Sequence, residues 1–460
     1  MKTQRFGKTK TLHFVGIGGA GMSGIAEILL NMGYAVTGSD VAESDTVKVL
    51  RSMGARVAVG HGAQNVGEAD VVVVSSAIRS DNPEIVEARS RLIPVIPRAE
   101  MLAELMRMKH SVAVAGAHGK TTTTSMTAVT LTKGGYDPTI IIGGKVDRFG
   151  SGAKLGQGEF LVAEADESDG SFLKLYPTIA IVTNIDAEHL DHYGSFDNVK
   201  RAFVEFINKT PFYGVSVLCL DDPAIQEIIP HVTKRFRTYG IKSTADLTAR
   251  EIKYDKFNST FTVALEGHEV GRVGISMPGV HNVYNALAAM SVGMELGMEP
   301  AGAVASLTGF AGVQRRCQVK GEARGIMMID DYGHHPNEIR ATLRAIKEGF
   351  ADRRLVVVFQ PHRYSRTRDQ MEEFHTSFYD ADELIVMEIY AAGEAPIEGV
   401  RGEILAEGVA AHGKKGVKFA ASLDAALKIA LETAREGDIV LTLGAGNVTQ
   451  LGGRILSALA

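Results

Sequence analysis

The sequence predicts an α/β protein of three consecutive domains, each built around a mostly parallel sheet. One observation is length, because 460 residues are too many for a single hydrophobic core and suit about three domains. The other is a repeated unit, in which a short β-forming run ends in a glycine-rich turn and a helical stretch follows. The runs span residues 12–15, 112–115 and 439–443. Such units build parallel sheets, and their spacing suggests one in each domain.

Further strand patterns surround these three units. Buried strands are predicted at residues 35–37, 71–74, 95–96, 140–142, 160–163, 179–183, 326–329, 355–359 and 384–387. Apolar side chains alternate with period two from Phe257 to Leu265, up to a turn at Gly267 and His268. This alternation predicts an antiparallel hairpin added to the central sheet.

Helical patterns and domain boundaries complete the predicted architecture. Helices are predicted at residues 338–349 and 423–434, the latter with Ser422 as its N-cap. The predicted domains are a Rossmann-like domain at 1–104, a central P-loop ATPase-like domain at 105–314 and a Rossmann-like C-terminal domain at 315–460. Ligands are expected at the carboxyl ends of the parallel strands.

The composition excludes several classes of function. Hydrophobic residues make up 45% and charged residues 22%, which is ordinary for a folded globular protein. The net charge of −5 argues against a nucleic-acid or anionic-membrane partner. The two cysteines, Cys219 and Cys317, are too far apart for a CxxC metal site and form no disulfide framework. Since no signal peptide and no run of about 20 apolar residues is found, we expect a cytoplasmic protein.

Gly16, Gly18 and Gly21 form the first glycine-rich turn, between a predicted strand and a helical stretch. Glycines at these positions permit a tight turn and a close backbone approach, and the helix N-terminus then faces a diphosphate. Asp40, at the end of the next strand, is placed to meet a ribose hydroxyl. The pattern suits NAD and a UDP-sugar alike, and glycines that serve only helix–strand packing are the alternative reading.

The second glycine-rich turn, residues 116–122, has the pattern of a phosphate loop. Backbone N–H groups of such a loop wrap phosphates, Lys120 supplies a charge at the β and γ phosphates, and Thr121 offers its hydroxyl to Mg²⁺. The loop is a shorter variant of the usual pattern, which has glycine where Val114 stands. A buried strand before it and a helix after it favour the phosphate-loop interpretation.

Acidic residues follow the strand predicted at 160–163, in the same domain as the phosphate loop. Glu164 comes first, and Asp166, Glu167 and Asp169 lie close behind it. Carboxylates at the carboxyl end of a strand suit octahedral Mg²⁺. A solvated acidic loop is the alternative for all of these residues except Glu164.

Three further polar residues follow predicted strands. His61 and Ser75 do so in the first domain, and taken singly such residues are more often satisfied polar side chains than ligands. His189 follows a strand of the second domain, beside the predicted nucleotide site. It is a candidate metal ligand or acid–base group, with a purely structural role as the alternative.

Taken together and in order, the motifs resemble the Mur ligase family from end to end. The segments that carry the resemblance are residues 15–22, 116–123, 163–169, 279–285, 315–316, 330–336 and 362–369. The chain departs from the family pattern at Cys317, where Phe is more usual, and at Asn447, where Asp is common. It has Phe203 where many relatives carry a carbamylated lysine. Because of Asn447, we assign no role to the Gly444–Gly446 turn. Because of Phe203, the second metal site has less support than the first.

The resemblance implies a role for each matching residue. Implied for the UDP-sugar are Gly18, Gly19, Ala20, Gly21, Met22, Asp40, His61 and Ser75. Implied for ATP are Gly116, Ala117, His118, Gly119, Lys120, Thr121, Thr122, Asn282, Asn285, Arg316 and Asp331. Thr121, Glu164 and His189 would hold two Mg²⁺ ions, with Mn²⁺ as an alternative metal. The acceptor ends of the substrates would meet Tyr332, His334, His362, Arg363 and Arg366. Implied as catalytic are Lys120, His189, Arg316 and His334.

The resemblance also implies an activity. It is the ATP-dependent joining of L-alanine to the lactyl carboxylate of UDP-N-acetylmuramate through an acyl phosphate, giving ADP and phosphate in peptidoglycan precursor synthesis. Arg363 and Arg366, three apart and so close to one helical face, would clamp the carboxylate of alanine. A related activity attaches a peptide to the same sugar, but the run at 362–369 favours alanine.

Two readings from outside the family remain open alternatives. A dehydrogenase would explain the first glycine loop but would leave Lys120 and Glu164 without a function. A nucleotide-gated binding protein would keep the phosphate loop but has no need of the His/Arg run at 362–369. All expected partners are small molecules, and the sequence leaves monomer and homodimer open.

Overall fold

The computed structural model describes residues 6–75, 77–142 and 153–460, and these form three sheets flanked by helices. The chain divides into two compact units. Met1–Arg250, Thr262–Val273 and Tyr284–Thr308 belong to the first unit, and Glu251–Phe261, Gly274–Val283 and Gly309–Ala460 belong to the second. Within the described residues, no helix combines the length and apolar character needed to cross a bilayer.

The first sheet has five parallel strands in the order β3-β2-β1-β4-β5. Its strands are β1 (Thr11–Val15), β2 (Ala35–Asp40), β3 (Arg56–Val59), β4 (Val71–Val74) and β5 (Val95–Pro97), and its helices are α1 (Ala20–Asn31), α2 (Asp45–Ser52), α3 (Pro83–Ser90) and α4 (Arg98–Arg107). The strand order reverses between β1 and β4, so the crevice at their carboxyl ends is the place where such sheets bind ligands. The first glycine loop lies there.

The second sheet has ten strands in the order β15-β14-β13-β12-β11-β10-β6-β9-β7-β8. They are β6 (His110–Ala115), β7 (Thr139–Ile141), β8 (Ala153–Lys154), β9 (Phe160–Glu164), β10 (Ile179–Val182), β11 (Val215–Cys219), β12 (Phe236–Gly240), β13 (Leu247–Asp255), β14 (Asn258–Leu265) and β15 (His268–Ile275). The helices are α5 (Lys120–Lys133), α6 (Leu190–Tyr193), α7 (Phe196–Asn208), α8 (Pro223–Ile228), α9 (Val280–Glu295) and α10 (Pro300–Ser306). The predicted phosphate loop connects β6, near the middle of the sheet, to α5.

Helix α5 is buried along most of its length although it contains many threonines. The hydroxyl groups of Thr124 and Ser125 donate hydrogen bonds to the carbonyls of Lys120 and Thr121, at 2.8 and 2.7 Å. A polar side chain that bonds to its own helix in this way can be buried without leaving its donor unsatisfied. The helix therefore holds the phosphate loop firmly against the sheet.

The third sheet has six strands in the order β16-β17-β21-β18-β19-β20, and only the β16–β17 pair is antiparallel. The strands are β16 (Gln318–Ala323), β17 (Ile326–Asp331), β18 (Leu355–Phe359), β19 (Glu383–Met387), β20 (Val417–Ala420) and β21 (Ile439–Leu443). The helices are α11 (Pro336–Gly349), α12 (Tyr364–Asp369), α13 (Met371–His375), α14 (Gly402–Ala411), α15 (Leu423–Thr433) and α16 (Thr449–Leu459). Two apolar cores, one containing Phe359 and Phe374 and the other Val358 and Ile455, stabilise this sheet.

The predicted strands all coincide with strands of the structure, and the α/β prediction is confirmed. Ser422 accepts a hydrogen bond from the backbone N–H of Ala425, as expected of an N-cap, and β14 and β15 are neighbours on either side of the predicted turn. The sequence analysis did not predict β3, β8, β11, β12, β13, β16 or β20. Its apolar pattern covered only residues 35–37 of β2, which extends to Asp40, because Gly38 and Asp40 are residue types depleted in strands.

Candidate functional site

The first glycine loop is closed by contacts with the end of β2. The N–H groups of Gly16 and Ile17 donate to the carbonyl of Ser39, and the N–H of Gly18 donates to Oδ2 of Asp40 at 2.8 Å. A Cβ atom at position 18 would lie only 2.8 Å from that carboxylate oxygen, so a larger residue would require the Asp40 side chain or the loop to shift. Gly19, the N-cap of α1, has no side chain to occupy the N–H groups of the first turn. This helix end can therefore receive an anion.

A buried carboxylate, which the sequence analysis missed, organises a hydrogen-bond network beside this loop. Glu84 is fully buried in α3. It accepts hydrogen bonds from His13 Nε2, Ser39 Oγ, Asn65 Nδ2 and Gly62 N, at 2.6–3.0 Å. Burial alone would raise the pKa of this carboxyl group, but the hydrogen bonds outweigh it and lower the pKa to about 2. His61 joins this network, because its Nδ1 lies 2.9 Å from Ser39 Oγ.

Ser75 and Met22, the other predicted residues of this region, differ in their surroundings. Ser75 directly follows β4, and its Cβ lies 3.5 Å from where a Cβ of Gly16 would be, so it borders the loop. The Met22 side chain is buried in the core, and its N–H donates to the carbonyl of Gly19. Met22 therefore supports the loop from within the fold.

The phosphate loop is held in shape by residues that follow β10. The N–H of His118 donates to Oδ1 of Asn184 at 2.8 Å, and the hydroxyl of Thr183 donates to the carbonyl of His118 at 2.6 Å. Gly116 and Gly119 have φ angles of 133° and 82°, in the region that favours glycine. A Cβ at Gly119 would also lie 2.6 Å from Oδ1 of Asn285, which accepts from the Thr123 hydroxyl. Asn285 thus packs directly against the loop.

Lys120 lies within the loop and is bonded to three acceptors. Its Nζ donates to the carbonyls of Gly116 and Ala117, at 2.6 and 3.0 Å, and to Oε1 of Glu167 at 2.8 Å. Burial opposes the charge of the lysine, but Glu167 outweighs this effect and raises the lysine pKa. Burial also raises the pKa of Glu167, to about 7. The partner of Lys120 is thus an acid that the sequence analysis had grouped with the carboxylates suited to Mg²⁺, with a solvated loop as the alternative.

The residues predicted to bind metal come from three segments at one edge of the second sheet, namely the edge formed by the carboxyl ends of β6, β9 and β10. Glu164 ends β9 and pairs in register with Val114, two residues before the phosphate loop that carries Thr121. His189 has a left-handed backbone with φ of 56°, and its Nε2 lies 3.8 Å from Oε1 of Glu167. A left-handed backbone is uncommon for residues other than glycine and often marks a functional position. Through Glu167, His189 and Lys120 are joined in one cluster.

His118 is a second imidazole at the same edge. Its Nε2 lies 3.1 Å from Oδ2 of Asp186 and 3.5 Å from Oε1 of Glu188. The sequence analysis assigned His118 only to the nucleotide loop and gave no role to these two acids. The edge therefore gathers several carboxylates around a small number of positive groups, which is the setting in which a divalent cation binds well.

Arg98, the first residue of α4, has contacts with two regions of the first unit. Its guanidinium lies 3.5 Å from Oδ2 of Asp166, and a Cβ at Gly21 would lie 3.0 Å from its side chain. The arginine therefore lies between the helix after the first loop and the acidic segment after β9. The sequence analysis missed it, because nothing local distinguishes Arg98 from other arginines at a helix start.

Several predicted residues of the second unit come together at the carboxyl end of β17. The Arg316 guanidinium lies 5.3 Å from the centre of the Tyr332 ring and 3.4 Å from Oε1 of Glu338. The His334 ring is 5.3 Å from that of Tyr332 and 5.8 Å from that of His362. Arg316, Tyr332, His334 and His362 thus form one cluster of cationic and aromatic groups.

The helical face predicted for Arg363 and Arg366 needs correction. Arg363 precedes α12 with a φ of 72°, so Arg363 and Arg366 do not share a helical face, and only Arg366 is part of the helix. The role implied for Asp331 at ATP stays a prediction. Its carboxylate is buried and accepts from the N–H groups of Cys317 and Gly333, both at 2.8 Å, and burial raises its pKa. In this structure it therefore orders its own loop.

Asn282 and Arg366 have partners within the second unit. Asn282 is buried, and its Nδ2 donates to the carbonyl of Pro278 at 2.7 Å. The distance from Nη1 of Arg366 to Nδ1 of His362 is 3.4 Å. These contacts place Arg366 beside the cluster of cationic and aromatic groups.

Comparison with protein families matches three successive domain models. They are the Mur ligase family catalytic domain at residues 11–110, the Mur ligase middle domain at 114–293 and the Mur ligase glutamate ligase domain at 315–446. Together with the three sheets, these matches confirm the prediction of three α/β domains.

Several similar proteins match nearly the whole chain. UDP-N-acetylmuramate–L-alanine ligases of Syntrophotalea carbinolica and Geobacter sulfurreducens are each 59% identical, over 97% and 99% of this chain and 97% and 98% of their own. The solved UDP-N-acetylmuramate–alanine ligase of Thermotoga maritima is 32% identical with a TM-score of 0.83, covering 98% of this chain and 99% of its own. A murein peptide ligase of Psychrobacter arcticus is 26% identical with a TM-score of 0.72, covering 98% of both chains. The chain belongs to the Mur ligase family.

Proposed function

We propose that the protein is an ATP-dependent ligase that joins L-alanine to the lactyl carboxylate of UDP-N-acetylmuramate, in the synthesis of peptidoglycan precursors. The observation that carries the proposal is the position of Lys120. Its ammonium group is bonded to Glu167 inside a phosphate loop, at the sheet edge where several carboxylates gather. The choice of alanine is supported by 59% identity to L-alanine ligases, against 26% to the murein peptide ligase. We place the reaction in the cytoplasm, where ATP and UDP-sugars are available.

We assign one ligand to each domain, with proposed boundaries at 1–104, 105–314 and 315–460. The N-terminus of α1 and Asp40 would hold the diphosphate and ribose of the UDP-sugar, with His61 oriented by Ser39 and Glu84. The phosphate loop would hold ATP. The cluster of Tyr332, His334, His362 and Arg366 offers cationic groups for the carboxylate of the amino acid, together with a histidine that can move a proton.

The acidic edge of the second sheet fits Mg²⁺. Its donors are mainly carboxylate and hydroxyl oxygens, which Mg²⁺ prefers, and burial of Glu167 raises its pKa to about 7, so a nearby cation would favour its ionised form. We propose that Thr121 and Glu164 hold one ion and His189 contributes to a second, with Mn²⁺ as an alternative. Bound Mg²⁺ would offset the negative charge of the phosphates.

In the first step, an oxygen of the lactyl carboxylate attacks the γ phosphorus of ATP. The bond from that phosphorus to the β–γ bridging oxygen breaks, so ADP leaves and an acyl phosphate forms. Two anions must approach each other, and Lys120 lowers the electrostatic cost because its ammonium group lies in the loop that wraps the phosphates. The lysine would exchange its bonds with the carbonyls of Gly116 and Ala117 for bonds with phosphate oxygens.

In the second step, the amine of L-alanine attacks the acyl carbon, and the tetrahedral intermediate expels phosphate. The attacking nitrogen must lose a proton, and His334 is the group that we propose to accept it. Its Nδ1 lies 3.1 Å from the carbonyl of Tyr332, which can only accept a hydrogen bond, so Nδ1 carries the hydrogen of the neutral ring. The lone pair is then on Nε2, and this is the nitrogen that we propose takes the proton.

The alternative within the family, attachment of a peptide to the same sugar, is separated from this proposal by one experiment. Phosphate release is measured with ATP, Mg²⁺ and UDP-N-acetylmuramate, first with a panel of single amino acids and then with a tripeptide that begins with L-alanine. We expect release that depends on L-alanine. Release with the tripeptide and none with L-alanine would favour the alternative, and NADH oxidation without phosphate release would indicate a dehydrogenase.

A further inference from the structure

Glu372, His375 and His412 form a cluster in the second unit that the proposed reaction does not use. Glu372 and His375 lie one turn apart on α13, and His412 directly follows α14. Each of the three offers a ligand atom, and these atoms all lie within 4.8 Å of one another. The two imidazole rings are stacked, with their centroids 4.6 Å apart.

His375 points a buried nitrogen into this cluster. The residue is only 8% exposed, and its Nδ1 has no hydrogen-bond partner among the described residues. The nearest acid, Oε2 of Glu372, is 3.6 Å away, beyond hydrogen-bond distance. Buried polar atoms are normally satisfied, so an exception requires an explanation such as an ion.

Gly408 of α14 positions both histidines. A Cβ at this position would lie 2.1 Å from Nε2 of His375, so the ring can pack here only against a glycine. The Gly408 carbonyl lies 2.8 Å from Nδ1 of His412. A carbonyl can only accept, so Nδ1 of His412 carries the hydrogen and the lone pair of the neutral ring is on Nε2. A backbone carbonyl bonded to the second nitrogen is a common arrangement around metal-binding histidines.

We propose that His375 Nδ1, His412 Nε2 and the Glu372 carboxylate bind a Zn²⁺ ion that links α13 to α14. Two imidazole nitrogens and one carboxylate are a ligand set that Zn²⁺ favours, whereas Mg²⁺ and Ca²⁺ prefer oxygen ligands throughout. Glu372 and His412 are exposed, so the ion can enter from solvent with small side-chain rotations and keep a water as its fourth ligand. The alternative is that the two histidine rings only pack against each other and bind no ion.

The test is a Zn²⁺ titration by calorimetry on the metal-stripped full chain, with Mg²⁺ in excess to occupy sites that prefer it. We compare the wild type with His412→Ala and Glu372→Gln, which alter exposed side chains and leave the core intact. His268→Ala, which removes another exposed imidazole, is the matched control. We expect both site variants to lose one equivalent of bound Zn²⁺ that the control retains.

A second measurement is thermal unfolding with and without Zn²⁺. An ion that joins two helices of the folded state and is absent from the unfolded chain raises the unfolding temperature. We expect a rise for the wild type and for His268→Ala that a chelator reverses, and no such rise for His412→Ala. Equal Zn²⁺ stoichiometry and equal temperature shifts in the wild type and His412→Ala would overturn the proposal, whatever the outcome of the ligase assays.

Discussion

Nζ of Lys120 lies 2.8 Å from Oε1 of Glu167, and both side chains are largely shielded from solvent. The contact fixes the ammonium group inside the phosphate loop before any nucleotide binds. Two further bonds, to the carbonyls of Gly116 and Ala117, hold the lysine in place. Phosphate oxygens would replace these two carbonyls as its acceptors. The loop is therefore preorganised for a negatively charged ligand, which is the condition for strong electrostatic catalysis.

Replacement of Lys120 tests this preorganisation. Lys120→Ala removes the charge that we propose acts on the β and γ phosphates, and we expect turnover to fall about 10²-fold or more, the scale for loss of one preorganised group. The measurement is steady-state phosphate release. Lys133→Ala, at the exposed far end of the same helix, is the matched control and should retain turnover. Wild-type turnover in Lys120→Ala would rule out the phosphate-loop assignment.

The buried network of Glu84 predicts a pH dependence of stability. The pKa of this carboxyl falls from its ordinary value of 4.5 to about 2 on folding. Its ionised form therefore stabilises the fold above pH 4.5, and this contribution is lost as the pH falls from 4.5 through 2. The shift corresponds to about 3 kcal/mol of unfolding free energy at neutral pH, at roughly 1.4 kcal/mol per unit.

Urea unfolding at a series of pH values measures this contribution. We expect Glu84→Gln to be less stable than the wild type at neutral pH by about that amount, with the difference shrinking toward acid pH. Glu87→Gln, on the same helix but near the surface, should follow the wild-type curve. A constant difference between Glu84→Gln and the wild type at all pH values would contradict the role of ionisation.

The sequence predicted the local parts of the site and missed most of the contacts made over long sequence distances. Both glycine loops are local, because a strand, a turn and a helix start lie within a few consecutive residues. Glu84 and Glu167 take their roles from partners such as His13 and Lys120, which only the fold brings close. A single acid at a helix start, such as Glu84, is also common without any such role.

Most strands of the fold were predicted because they too are local patterns in the sequence, and the errors have physical causes. Apolar runs such as Leu355–Phe359 indicate buried parallel strands directly. Strand β16, with the sequence Gln318–Ala323, is a polar edge strand with no such run, and β3 is similarly mixed. The spacing of Arg363 and Arg366 suggested one helical face, but α12 begins only at Tyr364, so the periodicity did not apply.

The first glycine loop gives a prediction about substrate binding. Gly18→Ala would place a Cβ 2.8 Å from the Asp40 carboxylate and 3.2 Å from Ser44 Oγ, so the Asp40 side chain or the loop must shift. Calorimetry should show weaker binding of UDP-N-acetylmuramate with unchanged binding of ATP. Gly453→Ala, where a Cβ meets nothing within 4 Å, is the control. Saturable NAD binding that the UDP-sugar fails to displace would instead reverse the assignment of the loop.

Arg366 tests the proposed amino-acid site. Arg366→Lys keeps the positive charge but loses the planar fork that binds a carboxylate by two hydrogen bonds, so we expect the KM for L-alanine to rise much more than that for ATP. Arg368→Lys, exposed on the same short helix, should leave both constants near the wild type. A defect of Arg366→Lys in ATP and not in alanine would place this residue elsewhere in the reaction.

The central claim is that the lactyl carboxylate is activated by the γ phosphate of ATP and then captured by L-alanine. The most direct measurement uses UDP-N-acetylmuramate labelled with ¹⁸O in that carboxylate, with mass spectrometry of the phosphate and sugar products. An acyl phosphate transfers one carboxylate oxygen to the released phosphate, so we expect ¹⁸O in inorganic phosphate, ADP as the nucleotide, and an L-alanyl amide on the sugar. Pyrophosphate and ¹⁸O-labelled AMP, or unlabelled phosphate with amide formed, would contradict the account.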